Sequence, residues 1–162
     1  MISPCILNNS NQMEVIFSAC PQNESFARVV IAAFAVQLNP TLPEMADIKT
    51  AVSEAVTNAI VHGYENKGGL VRLKAEYCDR RMLTVTVQDD GCGMEDVETA
   101  MQPFYSTGDG AERSGMGFCV MQTFMDAVEV ESSVGEGTTV RMRKYVHGEA
   151  AFNRERMLDE IG

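Results

Sequence analysis

The chain has 162 residues, 45% of them hydrophobic, so it can build one well-formed core but is too short for two ordinary domains. Thirteen lysine and arginine residues against 23 aspartate and glutamate residues give a formal net charge of −10, which argues against a direct nucleic-acid partner because cations supply most of the affinity for phosphate backbones. The longest strongly apolar run, residues 29–36, is far shorter than the roughly 20 residues that a membrane span needs, so we expect no membrane partner.

The first half of the chain predicts one strand followed by two helices. Residues 13–17 are typical of a strand. Asn23 is a suitable helix N-cap, and the apolar residues after it recur at helical spacing, which predicts a helix over about residues 24–37. The sequence TLPE at residues 41–44 is a capping-box pattern that begins a second helix, which we expect to end at Gly63.

The second half predicts mainly strands, because the period of the apolar residues changes from helical to alternating. Leu83, Val85 and Val87 alternate with polar residues, as in a half-buried strand. The expected strands run from residue 70 to a turn at 79–81, from that turn to residue 89, over 127–131 and over 138–143. Residues 101–113 predict a mobile loop, and residues 118–125 a short apolar helix.

This order of elements predicts an α+β fold, a two-layer sandwich with one mixed, mostly antiparallel sheet and helices on one face. We expect a single domain over residues 13–146, between a flexible leader at residues 1–12 and a charged tail at residues 147–162. The other face of the sheet is expected to meet water or a partner.

Glu54 and Asn58 are the first candidate site residues. Residues four apart on a helix are neighbours, so both side chains can contact one polyanionic ligand. The amide oxygen of Asn58 can coordinate Mg²⁺ without adding negative charge. Glu54, one turn earlier, can accept a proton as a general base. A solvated helix face would show the same pair.

Two glycine motifs supply further candidates. The glycines of Asp89-x-Gly91-x-Gly93 allow the backbone to approach a flat ligand, although a turn after a strand would show them too. An ionised Asp89 offers only acceptors, which match the exocyclic amine of adenine and repel the carbonyl oxygen of guanine. Gly115-x-Gly117 opens a helix, where free N–H groups can bind phosphate.

Together these segments resemble the ATP-binding fold shared by DNA gyrase, heat-shock chaperones, histidine kinases and mismatch-repair ATPases. Within that superfamily, the chain is similar to the anti-sigma F factors of spore-forming bacteria. The resemblance covers about residues 13–146 and is carried by three motifs: NESFAR at residues 23–28, SEAVTNAIVHGY at 53–64 and ERSGMGF at 112–118.

The resemblance implies a serine-protein kinase that uses ATP and Mg²⁺, holds a sporulation sigma factor inactive and phosphorylates an anti-anti-sigma protein. It implies that Glu54 is the catalytic base, that Asn58 is the magnesium ligand, and that Arg28 and Arg113 contact protein partners. The residues implied to bind the nucleotide are Asn58, Asp89, Gly91, Gly93, Arg113, Ser114, Gly115, Met116, Gly117, Phe118 and Thr138. Residues 103–114 would form a lid, in which Gly108 stands where similar proteins often carry lysine.

Two other functions fit parts of the sequence. The first is a nucleotide-gated binding module without phosphotransfer, which differs from a kinase in whether Glu54 works as a base. The second is a catalytic fragment of a histidine kinase, which is disfavoured because no segment remains for a dimerising helical hairpin that bears a phosphoacceptor histidine. We also expect a homodimer.

The five cysteines indicate where the protein resides. Their number is odd and no two are spaced as Cys-x-x-Cys, so neither a disulfide framework nor a zinc site is predicted. Unpaired thiols are typical of a reducing compartment, which predicts a cytoplasmic protein.

Overall fold

The computed structural model describes residues 10–78, 81–102 and 116–148. The strands are β1 (Asn11–Ser18), β2 (Leu70–Cys78), β3 (Met82–Asp89), β4 (Ala127–Ser133) and β5 (Gly137–Tyr145). The helices are α1 (Pro21–Ala35), α2 (Leu42–Asn58), α3 (Val97–Ala100) and α4 (Met116–Phe124), with a 3-10 turn at Val36–Leu38 and a π-helical turn at Ala59–Gly63. None of the helices in these ranges combines the length and the apolar character that crossing a membrane requires.

The strands form one sheet in the order β1-β2-β3-β5-β4. Its side chains alternate as predicted: Leu73, Val85 and Met142 are buried under the helices, whereas their neighbours along each strand point the other way. The predicted two-layer α+β sandwich is therefore confirmed, and all four pairings among the described strands are antiparallel.

The uncovered face of the sheet carries charged side chains that pair across strands. Arg72 on β2 lies 3.0 Å from Glu14 on β1, and Arg143 on β5 lies 2.9 Å from Glu129 on β4. Both pairs are substantially exposed, so each contributes little to stability. Their effect is to give this face a surface that water can solvate.

The start of α1 differs from the prediction. The helix begins at Pro21, the N-cap position is Cys20, and Asn23 lies inside the first turn. The Asn23 side chain instead donates to the carbonyl oxygen of Ser18, at 2.9 Å. The predicted N-cap is wrong because proline at the first helical position, with its fixed φ, starts the helix earlier.

The disulfide prediction also needs correction. Cys78, at the end of β2, is disulfide-bonded, and its partner lies outside the described residues. Cys20, Cys92 and Cys119 carry free thiols. The spacing of cysteines in the sequence gave no sign of this bond, because it shows no Cys-x-x-Cys pair.

The predicted capping box at the start of α2 is confirmed and has a second role. Thr41 Oγ1 accepts from the Glu44 amide at 3.2 Å, and Glu44 Oε2 accepts from the Thr41 amide at 2.9 Å. The same carboxylate accepts from the amides of His147, at 2.7 Å, and Gly148, at 3.1 Å. Glu44 therefore joins the start of α2 to the first residues of the expected tail.

We predict that Glu44→Ala lowers the free energy of unfolding by about 1–3 kcal/mol, because three backbone amides lose their acceptor. Burial acts to raise the pKa of Glu44, but hydrogen bonds from the Thr41, His147 and Gly148 amides outweigh it and hold the pKa low. This stabilisation is present above the unfolded value of about 4.3 and is lost as the pH falls through the folded pKa.

Denaturant unfolding of both proteins between pH 2 and 7 measures this difference. Glu95→Ala is the matched control, because Glu95 is exposed in the loop before α3, and it should cost about 0.5 kcal/mol or less. Equal losses for the two variants would contradict the role given to Glu44.

Candidate functional site

The side chains of Glu54 and Asn58 converge on the start of α4. A methyl group added at Gly117 would lie 3.1 Å from Asn58 Nδ2, 3.2 Å from Asn58 Oδ1 and 3.3 Å from Glu54 Oε2. Three polar atoms from two turns of α2 thus surround one backbone position of α4. The face of α2 that carries Glu54 and Asn58 is therefore packed against α4 and is not simply a solvated face. A side chain at residue 117 would crowd the two polar groups.

A π-helical turn connects this pair to the edge of the sheet. Asn58 is the last residue of α2, and the next five residues, Ala59–Gly63, widen the helix. The amide of Tyr64 donates to the carbonyl of Ala59 at 2.9 Å, five residues back. π-helical turns are rare in proteins, and those that do occur are often at functional sites. Here the turn brings Gly63 against the end of β3.

Asp89 ends β3 and is 5% exposed, the one buried charged side chain among the described residues. Its Oδ1 accepts from the Gly91 amide at 2.9 Å, and its carboxylate also accepts from the backbone amide of Thr138. Burial raises the pKa of Asp89, the Gly91 and Thr138 amides act to lower it, and the charge of Asp90 raises it further. A buried carboxylate that offers only acceptors can hold a ligand amine in a defined orientation.

Glycine is needed where the loop after β3 meets the π-helical turn. A methyl group at Gly91 would lie 2.1 Å from the Gly63 carbonyl oxygen, and one at Gly63 would lie 2.8 Å from Asp89 Oδ1. The Gly63 carbonyl instead accepts from the Cys92 amide at 2.8 Å. Gly93 has a φ of 70°, which side chains disfavour. These contacts fix the loop beside the Asp89 carboxylate.

Tyr64 braces the same loop from the other side. Its hydroxyl accepts from the Asp90 amide at 2.7 Å and donates to the Leu70 carbonyl at 2.6 Å. The ring thus joins the start of β2 to the residue after Asp89. Gly63 was predicted only as the end of the second helix and Tyr64 was given no role, since their contacts depend on how the helix end meets the sheet.

Thr138 lies directly opposite Asp89 in the pairing of β3 with β5, so the two side chains share the helix-covered face. Its hydroxyl oxygen lies 2.8 Å from the hydroxyl oxygen of Ser132, which is its partner on β4. Ser132 was not predicted as a site residue. No signal in the sequence could have identified it, because it is brought to the site by strand register alone.

Arg28 lies on α1, away from these groups, in an ion pair with Glu24. Its Nε is 2.9 Å from Glu24 Oε1, although this N–H does not meet hydrogen-bond geometry. Glu24 Oε1 also accepts from the hydroxyl of Ser53. The guanidinium is partly exposed and is connected through Glu24 to the residue that precedes Glu54.

The remaining predicted residues lie at the start of α4 or outside the described ranges. Met116 begins α4, and Phe118, 7% exposed, packs in the core. Arg113, Ser114 and Gly115, together with the expected lid at residues 103–114, lie outside the described residues.

Comparison with known proteins identifies the family. The model of the histidine kinase-like ATPase domain matches residues 17–144. An anti-sigma F factor of Thermoanaerobacter pseudethanolicus is 60% identical over 137 residues, which cover 85% of this chain and 95% of that protein. The anti-sigma F factor of Clostridium acetobutylicum is 57% identical over 134 residues, which cover 83% and 93%. The chain therefore belongs to the histidine kinase-like ATPases and, within them, to the anti-sigma F factor family, which confirms the resemblance predicted from sequence.

Solved structures support the fold. The crystal structure of the RsbU and RsbW domains of a Mycobacterium tuberculosis protein matches with a TM-score of 0.60 at 14% identity, covering 84% of this chain and 32% of that one. The blue-light activated histidine kinase of Erythrobacter litoralis matches with a TM-score of 0.54 at 21% identity, covering 75% and 41%. At these identities the likeness concerns the fold alone.

We predict that the Asp89 carboxyl titrates above the unfolded aspartate value of about 3.9, because burial disfavours its charged form. Because the pKa of Asp89 is higher in the folded state, its protonation contributes to the free energy of unfolding below the pKa of the unfolded state. This contribution is lost as the pH rises through the pKa of the folded state. The chemical shift of the Asp89 carboxyl carbon against pH measures the midpoint directly. Asp96 is the internal control, because hydrogen bonds from Thr99 lower its pKa. A midpoint for Asp89 at or below that of Asp96 would contradict the prediction.

Proposed function

We propose that the chain binds Mg-ATP, phosphorylates an anti-anti-sigma protein on serine and holds a sporulation sigma factor inactive. The observation that carries the enzymatic part is the convergence of Glu54 and Asn58 on Gly117. This arrangement puts a candidate base and a candidate metal ligand at a helix start, where backbone N–H groups favour phosphate.

The base end of the nucleotide would lie at Asp89. Its carboxylate would accept from the exocyclic amine of adenine, and Thr138, its neighbour across the strands, would line the same end. Gly91 and Gly93 would let the loop approach the flat face of the base. The phosphates would then extend past Asn58 toward Gly115, Met116 and Gly117.

Asn58 fits a role as magnesium ligand. Mg²⁺ takes oxygen ligands and is usually bound through one or two protein groups together with substrate phosphates and water. Asn58 Oδ1 would supply one such oxygen. The neighbouring Glu54 carboxylate would then not need to bind the metal as a further, charged ligand. When bound, the metal would neutralise charge on the phosphates.

Glu54 would act on the protein substrate. Its carboxylate would take the proton from the attacking serine hydroxyl as that oxygen forms its bond to the γ-phosphorus and the bond to ADP breaks. In phosphoryl transfer, positioning of the reactants contributes most of the remaining rate enhancement, because there is little covalent chemistry for the protein itself to do.

The proposed partners come from the name of the curated relatives, anti-sigma F factor, together with the surface of α1. Arg28 is on the same helix as two exposed apolar side chains, Phe26 and Val29. Arginine and aromatic side chains are both enriched at protein interfaces. We propose that this surface, with Arg113, contacts the sigma factor and the anti-anti-sigma protein; the homodimer stays a prediction.

We predict that Glu54→Gln leaves Mg-ATP binding near wild type and lowers phosphotransfer to the anti-anti-sigma protein by about 10²- to 10⁴-fold, because shape is kept and the base is lost. Asn58→Ala should instead weaken nucleotide binding in magnesium and change it little in EDTA. Calorimetry and single-turnover transfer from labelled ATP provide the two readouts.

Sigma-factor binding in ATP separates the proposed functions. Glu54→Gln should retain it, since a base is not needed to hold a partner, and Glu136→Gln, in the exposed β4–β5 turn, is the matched control. Wild-type phosphotransfer by Glu54→Gln would exclude Glu54 as the base. Absence of transfer by the wild type, with nucleotide-dependent sigma binding intact, would favour the binding module.

A further inference from the structure

Ser132 has three polar contacts at the base end of the candidate site. Its Oγ accepts from the Met94 amide at 2.8 Å, lies 2.9 Å from the carbonyl oxygen of Gly137 and lies 2.8 Å from the hydroxyl oxygen of Thr138. Ser132 is partly buried. It is paired with Thr138, which is in turn paired with Asp89, and all three side chains are on the helix-covered face of the sheet.

The chemistry of these partners determines which hydroxyl donates. A hydroxyl has one proton to donate and two lone pairs to accept with. The Met94 amide can only donate, and the Gly137 carbonyl can only accept. When all three contacts are hydrogen bonds, Ser132 gives its proton to Gly137 and accepts from both Met94 and Thr138. The Thr138 hydroxyl is therefore the donor to Ser132.

This assignment leaves Thr138 with only lone pairs to offer a ligand. Three neighbouring backbone amides are also engaged: the Gly91 and Thr138 amides donate to Asp89, and the Asp90 amide donates to Tyr64. The Cys92 amide donates to Gly63. On the Asp89 and Thr138 side chains, the atoms that these contacts leave open are acceptors.

We propose that Ser132 is a positioning residue that sets base specificity: it holds the Thr138 proton away from the ligand, so that the base end accepts a 6-amino purine and rejects a 6-oxo purine. The inference rests on the proposed nucleotide function. A 6-oxo group would place its oxygen against the acceptor atoms of Asp89 and Thr138, and unpaired polar groups discriminate more strongly than apolar contacts do.

The test compares the affinities of ATP and inosine triphosphate, in which a 6-oxo group replaces the 6-amino group and N1 carries a hydrogen. In Ser132→Ala the Thr138 hydroxyl loses its acceptor and becomes free to donate to a 6-oxo group. The preference for ATP over inosine triphosphate should then fall about five- to tenfold relative to wild type. Both dissociation constants come from one preparation, so a partly unfolded sample changes them equally and cancels in their ratio.

Three further variants show whether the effect passes through Thr138. Ser132→Thr keeps a hydroxyl and should restore the preference. Ser133→Ala, which removes an exposed hydroxyl from the next residue of β4, should leave it unchanged. In a Thr138→Val background, Ser132→Ala should no longer alter the ratio. If Ser132→Ala fails to fold, Ser132→Cys, whose sulfur is a weaker acceptor, should give an intermediate ratio.

Two results would overturn the inference in distinguishable ways. If Ser132→Ala weakens both nucleotides by the same factor, Ser132 supports the loop but does not set specificity, and the proposed function stands. If the wild type binds both nucleotides equally, the assignment of Asp89 to the adenine amine fails and the inference fails with it.

Discussion

The burial of the Asp89 carboxylate is the constraint on which the candidate site depends. A buried charge is costly unless hydrogen bonds compensate for the loss of water, and here two backbone amides offset part of that cost, although the pKa of Asp89 stays raised. One comes from the loop after β3 and the other from β5, so the carboxylate holds two segments in place. The close contact with Gly63 adds a third, the π-helical turn.

The helix that leads into that turn is held at both ends. At its start, Glu44 completes the capping box and binds two amides beyond β5. Near its end, Asn58 and Glu54 face α4 at Gly117. Lys144 fixes the far end of α4, because its ammonium donates to the Phe124 carbonyl at 2.8 Å and pairs with Asp47 of α2 at 3.4 Å. Such support keeps polar groups near one geometry, which positioning-based catalysis requires.

Local patterns predicted most of the fold and supplied the residues that we propose for the site. The alternation along β3 and the capping box at Thr41 depend on neighbours within a few residues, and both are present. The predicted cap at Asn23 was wrong because Pro21 starts α1 earlier. The π-helical turn and the role of Ser132 could not be predicted, since they arise from packing and strand register.

The proposed function requires that the Asp89 end and the Asn58 end belong to one nucleotide site. Amide chemical shifts during titration with a non-hydrolysable Mg-ATP analogue test it most directly, with Gly91 reporting on one end and Gly117 on the other. We predict that both amides shift with the same dissociation constant, and that adenosine alone shifts Gly91 but leaves Gly117 nearly unchanged. Different dissociation constants for the two amides, or a response at only one of them, would contradict a single site.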